Sequence, residues 1–183
     1  MQAEDILHFW FEELSPAQHF AQEDAIDAMI RVRFGPIWQA AQHCELWEWR
    51  ATPQGRLAEI VVLDQFSRHI HRGTPLAFAQ DAQALVLAQE LVAGGHDATL
   101  PPAQRAFAYL PYMHSESPAI HAQAMVLFDQ PGVVLLGCNI HDNMVGWIVV
   151  VDTPYHAQTG VDGAVPGRVR LDNVPAGSYQ LRV

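Results

Sequence analysis

The stretch LAEIVVLDQFSRHI, residues 57–70, is the segment whose pattern says most about the fold. Its apolar residues recur at helical spacing, which predicts a strongly apolar helix that other helices cover. Asp64 and Arg68 lie four residues apart on the same stripe as these apolar residues. Because an unpaired buried ion is costly, we predict that each of these charges finds a partner, and that Arg72 extends the network by one turn.

The chain on either side of this stretch is also periodic, and it predicts helical hairpins with short loops and no strand from Glu4 to about Phe128. Gly35-Pro36 is expected to break or kink the second helix, because proline removes a backbone hydrogen bond. The predicted helices cover residues 5–13, 24–34, 57–70 and 75–94, and two more begin at Pro101-Pro102 and Ser117-Pro118.

Five short motifs stand out in this helical part: ILHFWF (residues 6–11), LDQFSR (63–68), RGT (72–74), AFAQD (77–81) and HSE (114–116). Together they resemble the bacterial domain-of-unknown-function family 924. The resemblance covers roughly the first two-thirds of the chain. It implies a tetratricopeptide-like, all-helical fold with no established activity, and the second half of the family pattern is absent here.

The candidate binding residues of the helical part are Asp64, Arg68, Arg72, His114 and Glu116. One interpretation is a buried ion pair and a helix-terminus network that fix the packing. The other is a polar pocket for an anionic or polar small ligand, with His114 or Glu116 as its acid or base. His69 and His71 are expected on the surface, because alternate residues of a helix point apart.

The last third of the chain changes its period, because short β-rich runs replace the helical pattern after Phe128. The runs are separated by clusters of Gly, Pro, Asn and Asp, which are typical of turns. They cover residues 133–136, 147–151, 169–171 and 179–183. We therefore predict an α+β protein, with a helical domain over residues 1–127 and a small, partial β-sandwich over residues 128–183.

A thiol, an imidazole and a thioether follow one another at three-residue spacing, at Cys138, His141 and Met144. This spacing is typical of the ligand loop of a mononuclear blue-copper site, where thiolate and imidazole bind strongly and the thioether weakly. Such a site also needs a second imidazole, and the nearest upstream candidates are His114 and His121. The alternatives are weaker binding of Cu(I) or Zn by Cys138 and His141, and a β turn without metal.

Three motifs of this segment, FDQPG (residues 128–132), GCNIHD (137–142) and VDTPY (151–155), are similar to those of the methylamine-utilisation, plastocyanin-like cupredoxins. The tail DNVPAGSY (172–179) resembles the carboxypeptidase-regulatory-like extension that these proteins often carry. By this resemblance Cys138, His141 and Met144 are copper ligands of a cupredoxin-like, partial β-sandwich, in a site that the sequence leaves incomplete.

Charge and composition limit the partners that the protein is expected to bind and the cellular compartment in which it is expected. The net charge is -10 with histidine neutral, which argues against binding to nucleic-acid phosphates. Residues 1–5, MQAED, are acidic where a secretory signal is basic. Because no apolar run is long enough to span a bilayer, we expect a cytoplasmic protein without a membrane or nucleic-acid partner.

Several hypotheses for function remain open. The first is a non-enzymatic helical scaffold that binds a protein partner, or a second copy, through the exposed face of an interrupted repeat array. The second is a blue-copper electron-transfer protein that uses Cys138. The third is a chain that joins pieces of two proteins and has no single activity. An enzyme that uses His114 and Glu116 ranks below these.

Overall fold

The computed structural model describes residues 1–127, 132–137, 145–158, 168 and 170–179. These residues are mostly helical. The α-helices among them are α1 (Ala3–His8), α2 (Asp24–Gln42), α3 (Pro53–Ile60), α4 (Ser67–Ile70), α5 (Asp81–Ala93), α6 (Pro102–His114) and α7 (Pro118–Leu127). Two strands, β1 (Gly132–Gly137) and β2 (Val145–Val150), form a two-stranded sheet.

Two segments of π-helix extend these α-helices. Phe9–Glu13 follows α1, and Val61–Phe66 joins α3 to α4, so that residues 53–70 are continuously helical. This is the helix that the sequence predicts at residues 57–70, and it begins earlier, at Pro53. Thr52 caps it, because the Gly55 N–H donates to the Thr52 Oγ1 at 3.0 Å and a first-turn proline is compatible with a helix start.

The other predicted helices are present, with a difference at Gly35-Pro36. α2 does not end there, but continues to Gln42 with Pro36 inside it. Proline removes one backbone hydrogen bond, yet the following turn places Trp38 and Ala41 in the core. Burial of these apolar side chains favours the continued helix. The helix predicted from residue 75 consists of a 3₁₀ turn, Pro75–Phe78, and then α5.

Aromatic side chains fill the centre of the helical part. Phe9, Phe34 and Phe66 are completely buried, and their ring centroids lie 4.6 Å apart for Phe9 and Phe34 and 4.9 Å apart for Phe34 and Phe66. Every residue from 57 to 70 is buried, because α1, α5 and α6 pack on α3 and α2 packs on the π-helix and α4. An acid on this segment therefore needs partners from the protein itself.

The chain divides into two compact units, Met1–Phe128 with Leu136–Gly146, and Asp129–Leu135 with Trp147–Val183. The first unit contains all of the α-helices listed above. In the second unit, the described residues 151–158, 168 and 170–179 contain no strand. The predicted partial β-sandwich is therefore not found among the described residues, where β1 pairs with β2 alone. The predicted domain boundary at residues 127 and 128 stays a prediction.

No helix of the described residues is both long enough and apolar enough to span a bilayer.

Candidate functional site

Asp64 lies in the middle of the buried helical segment and has no exposed surface. Its Oδ1 lies 3.1 Å from Nη1 of Arg68, one turn later. The same Nη1 donates to the Asp64 backbone carbonyl at 2.7 Å, and the Gln65 side-chain amide donates to Oδ2 of Asp64. The sequence predicts that the charges on this apolar stripe find partners, and the structure confirms it.

Arg68 connects this ion pair to α5. Its Nη1 and Nη2 donate to the two carboxylate oxygens of Asp81 at 2.8 and 2.9 Å. Such a two-point contact fixes both groups and is stronger than a neutral hydrogen bond. Asp81 is the first residue of α5, where the helix dipole favours a negative charge. One guanidinium therefore holds two carboxylates, from two different helices.

His114, the last residue of α6, brings an imidazole to the same carboxylate. Its Nδ1 lies 2.7 Å from Oδ1 of Asp64, and its side chain is 21% exposed, whereas that of Asp64 is buried. A carboxylate beside Nδ1 holds the neutral ring in the Nδ1–H form, so that Nε2 keeps its lone pair. Among the described residues, no hydrogen bond to Nε2 is present.

Burial and charge act in opposite directions on these carboxylates. Burial disfavours the ionised form of Asp64, but the neighbouring His114 and Arg68 outweigh it and lower the pKa of Asp64 to about 2. For Asp81 burial is the larger effect, and it raises the pKa of that carboxyl despite the contact with Arg68. Asp64 is therefore ionised at neutral pH beside the Nδ1 of His114.

Arg72 lies in a second cluster, around Asp27 of α2. The Arg72 Nε and Nη2 donate to the two carboxylate oxygens of Asp27, whose Oδ1 lies 2.7 Å from Nδ1 of His69. His69 is completely buried, which corrects the prediction that it lies on the surface. Its ring is accommodated because Asp27 provides a hydrogen-bond partner and Trp10 packs against it edge-on, with 5.7 Å between centroids.

A third buried acid, Glu59, lies on the same helical segment. Its carboxylate accepts hydrogen bonds from Nε and Nη2 of Arg50 at 2.7 and 2.6 Å, and the Glu59 side chain has no exposed surface. Sequence reasoning missed this pair, although a glutamate within the apolar stretch 57–70 indicates a buried ion pair in the same way as Asp64 does. It also missed the roles of Asp27 and Asp81, because their partners are distant in the chain. Asp27 pairs with Arg72 across 45 positions, and Asp81 pairs with Arg68 across 13.

The remaining predicted site residues are not part of these clusters. Glu116 is exposed, in the turn between α6 and α7, and among the described residues it forms no ion pair with the residues around Asp64. Cys138, His141 and Met144 lie outside the described residues. Within the part of the chain that the structure describes, no three or more His, Cys, Asp or Glu side chains are grouped to hold a metal ion.

The group of Asp64, Arg68, Asp81 and His114, here called the Asp64 cluster, has the arrangement of a carboxylate–imidazole dyad. The buried carboxylate orients the ring and fixes its tautomer, and the partly exposed ring is able to accept or give a proton at Nε2. The π-helical segment that holds Asp64 is a further indication, since such segments occur frequently at functional sites.

Comparison with known proteins gives a family and a fold. The family model described as "Bacterial protein of unknown function (DUF924)" matches residues 6–135. The solved structure of a protein of unknown function from Agrobacterium tumefaciens is similar to this chain, with 35% sequence identity and a TM-score of 0.65. The similarity covers 68% of this chain and 70% of that one. No curated protein matches the chain. Neither match is to a cupredoxin.

Proposed function

This chain belongs to the bacterial family of unknown function DUF924, and from that premise we propose that its helical part binds a small polar or anionic ligand at His114, with this histidine as the acid or base of the site. The observation that carries the proposal is the contact of 2.7 Å between a fully buried carboxylate, Asp64, and an imidazole that remains partly exposed. A fold alone does not imply an activity, which depends on the chemistry of the site residues.

Each residue of the Asp64 cluster has a separate role in this proposal. His114 contacts the ligand through Nε2, because Nδ1 is occupied by Asp64. Asp64 stabilises the imidazolium that forms when Nε2 takes a proton. Arg68 keeps Asp64 ionised and is itself held by Asp81. Arg68, Asp64 and Asp81 are positioning residues, since their polar atoms are occupied by one another.

Glu116 is the second ligand-binding group in this proposal. It follows His114 by two residues, in the turn after α6, and its side chain is exposed. A carboxylate at this place favours a ligand that offers a hydroxyl or amino hydrogen. Arg72, by contrast, contacts Asp27 and His69, which favours a packing role over ligand binding.

The test is a screen of thermal unfolding with small carboxylates (acetate, succinate, citrate), inorganic phosphate and glycerol as probes. We expect at least one probe to stabilise the wild-type chain and to have no effect on His114→Gln. The matched control is His8→Gln, because His8 also has a carboxylate on Nδ1, Glu12 at 2.9 Å, but on the exposed surface. Equal stabilisation of His114→Gln, or no stabilisation by any probe, would contradict the proposal.

A second candidate is association with a protein partner or a second copy, as for a tetratricopeptide-like scaffold. It is favoured by α7, of whose ten residues Ala124 alone is buried, while Met125 and Val126 are 55% and 76% exposed. Exposed apolar faces of this kind are typical of interaction sites. We expect Val126→Asp to lower the mass measured by sedimentation equilibrium, and an unchanged monomer mass in wild type and variant would exclude self-association.

Copper binding by Cys138, His141 and Met144 also stays a proposal, supported by their sequence spacing. Addition of Cu(II) to the full chain should give an intense visible thiolate-to-copper band if these residues form a blue-copper site. The band should disappear in Cys138→Ser and persist in Cys44→Ser, which removes the exposed thiol of the helical part. A band that survives Cys138→Ser would rule this site out.

Three further predictions rest on sequence alone. They are the cytoplasmic location, the absence of a nucleic-acid partner and the cupredoxin-like character of residues 128–183. The hypothesis that the chain joins pieces of two proteins, through a fusion, a frameshift or design, rests on sequence alone as well.

A further inference from the structure

A cleft of about 410 Å³ lies between the middle of α2 and the end of α4. Its lining includes a cation, an imidazole and apolar groups: Arg31, Gly35, Pro36, Trp38, Ile70 and His71. This volume is within the range of about 300–1,000 Å³ that is typical of small-molecule sites. None of these residues belongs to the Asp64 cluster.

Arg31 provides a positive charge that no carboxylate neutralises among the described residues. Its Nε and Nη2 donate to the Ile70 backbone carbonyl at 3.3 and 2.8 Å. These two contacts hold the guanidinium at the end of α4 and leave Nη1 without a protein partner there. A positioned guanidinium of this kind matches the geometry of a carboxylate.

The ring of His71 lines the same cleft and contains an unsatisfied polar atom. Its Nε2 is buried and has no hydrogen-bond partner among the described residues, and its ring packs on that of Trp38 with 4.5 Å between centroids. Trp38 itself is satisfied, because its Nε1 donates to the Ser67 Oγ at 2.8 Å. Because Nε2 is buried, the ring meets a ligand in the cleft through Nδ1, for which no hydrogen bond is present among the described residues.

Two features of α2 keep the cleft open. A Cβ built on Gly35 would meet no atom within 4 Å, so that the missing side chain leaves space. Pro36 adds an apolar ring and has no backbone N–H of its own. The cleft therefore combines a cation and an imidazole with an apolar wall formed by Pro36, Trp38 and Ile70.

From this juxtaposition we infer that the cleft between α2 and α4 binds a small organic carboxylate with an apolar body. The carboxylate accepts hydrogen bonds from Arg31 Nη1 and from the ring of His71, and the body lies against Pro36 and Ile70. The inference does not depend on the ligand proposed for His114, because the two sites have no residue in common.

The test uses sodium benzoate as the probe, with the indole N–H of Trp38 and the ring hydrogens of His71 followed by NMR. We expect saturable shifts of both signals in the wild-type chain, and none with the neutral isostere benzamide. Arg31→Met should weaken benzoate binding by about tenfold or more, from the loss of hydrogen bonds to a charged group. Gly35→Leu should abolish it, since the new side chain fills the cleft.

The matched control is Arg56→Met. Arg56 also donates to a backbone carbonyl, that of Arg50 at 3.0 Å, but it does not line the cleft. This variant should bind benzoate as the wild type does. The inference is overturned if benzoate shifts neither signal, if benzamide binds equally well, or if Arg31→Met and Gly35→Leu retain wild-type affinity. His114→Gln should leave benzoate binding unchanged, which separates this site from the proposed function.

Discussion

Oδ1 of Asp64 lies 2.7 Å from Nδ1 of His114, 50 positions later in the chain, and the carboxylate at one end of this contact is completely buried. The contact ties α6 to the central helical segment, because Asp64 is in the π-helix between α3 and α4 and His114 ends α6. It also leaves an imidazole at the surface with one nitrogen occupied. The same contact therefore contributes to the stability of the fold and positions the imidazole of the proposed site.

Asp64→Asn should destabilise the fold by roughly 3 kcal/mol, which is the order of cost when a buried ion pair loses one partner. The amide keeps the shape of the carboxylate, but it removes the negative charge that Arg68 and His114 share. Urea unfolding measured by circular dichroism checks this value. The control is Glu12→Gln, whose pair with His8 is exposed and should be worth less than about 1 kcal/mol. Equal losses in the two variants would contradict the argument.

Stability should fall as the solution becomes acidic, and Asp64 should account for part of the fall. Its pKa is lowered from 3.8 to about 2 in the folded chain, so the unfolded state binds the proton more tightly. The contribution of Asp64, about 2 kcal/mol from this shift, is present above pH 3.8 and is lost as the pH falls towards 2. Asp81 acts in the opposite sense, because burial raises its pKa.

The measurement for this prediction is the free energy of unfolding in urea between pH 6 and pH 2. The wild-type curve should be steeper than that of Asp64→Asn below pH 4. Parallel curves for the two proteins would show that folding does not lower the pKa of Asp64.

The helices were the predictable part of this molecule, because each depends on local pattern. The stretch 57–70 repeats apolar residues at helical spacing, and all of its residues are buried. The partners of its charges were less predictable. Asp27 pairs with Arg72, and Asp81 pairs with Arg68, through tertiary packing. The spacing of apolar residues along the chain does not predict such pairs. The continuation of α2 past Pro36 has the same origin, since burial of the next turn outweighs a local break.

The candidate site was predictable in its residue types more than in its geometry. Asp64, Arg68 and His114 stood out as charges and an imidazole on or beside apolar helices, and the structure brings these three together. The local sequence predicts Arg72 in the same network, because Arg72 lies one turn beyond Arg68. It pairs instead with Asp27, since the direction of a side chain near a helix end depends on the neighbouring helix.

His69 should take up its proton at a lower pH than an imidazole in a model peptide does. Burial lowers the pKa of His69 below its usual 6.5, and this outweighs the opposite effect of Asp27. Because the unfolded chain takes the proton more readily, the stability that His69 contributes is present above pH 6.5 and decreases as the pH falls through its folded value. A ¹H–¹⁵N spectrum of the imidazole rings recorded from pH 8 to pH 5 gives the midpoint directly. A midpoint at or above 6.5 would refute this prediction.

Two glycines in helices should respond differently to the same substitution. Gly35 lies inside α2, and a Cβ there would meet no atom within 4 Å outside its neighbours in the helix. Gly35→Ala should change the free energy of unfolding by less than about 0.5 kcal/mol, because the lower freedom that alanine loses on folding is offset by Pro36, which disfavours the helical conformation of a non-glycine residue before it. Gly55 lies in the first turn of α3, where a Cβ would come within 2.0 Å of the Trp49 carbonyl oxygen. Gly55→Ala should destabilise the fold by more than about 1 kcal/mol, since backbone must move to relieve the contact.

The midpoints of urea unfolding for the two alanine variants and the wild type measure this difference. The Gly55 N–H caps the helix start by donating to Thr52 Oγ1, so a shift of backbone there also weakens the cap. Thr52→Ser, which keeps a hydroxyl at the cap, serves as the control and should lose much less stability than Gly55→Ala. If Gly35→Ala destabilises as much as Gly55→Ala, then the open space beside Gly35 is not accessible to a side chain, and the cleft between α2 and α4 is narrower than described.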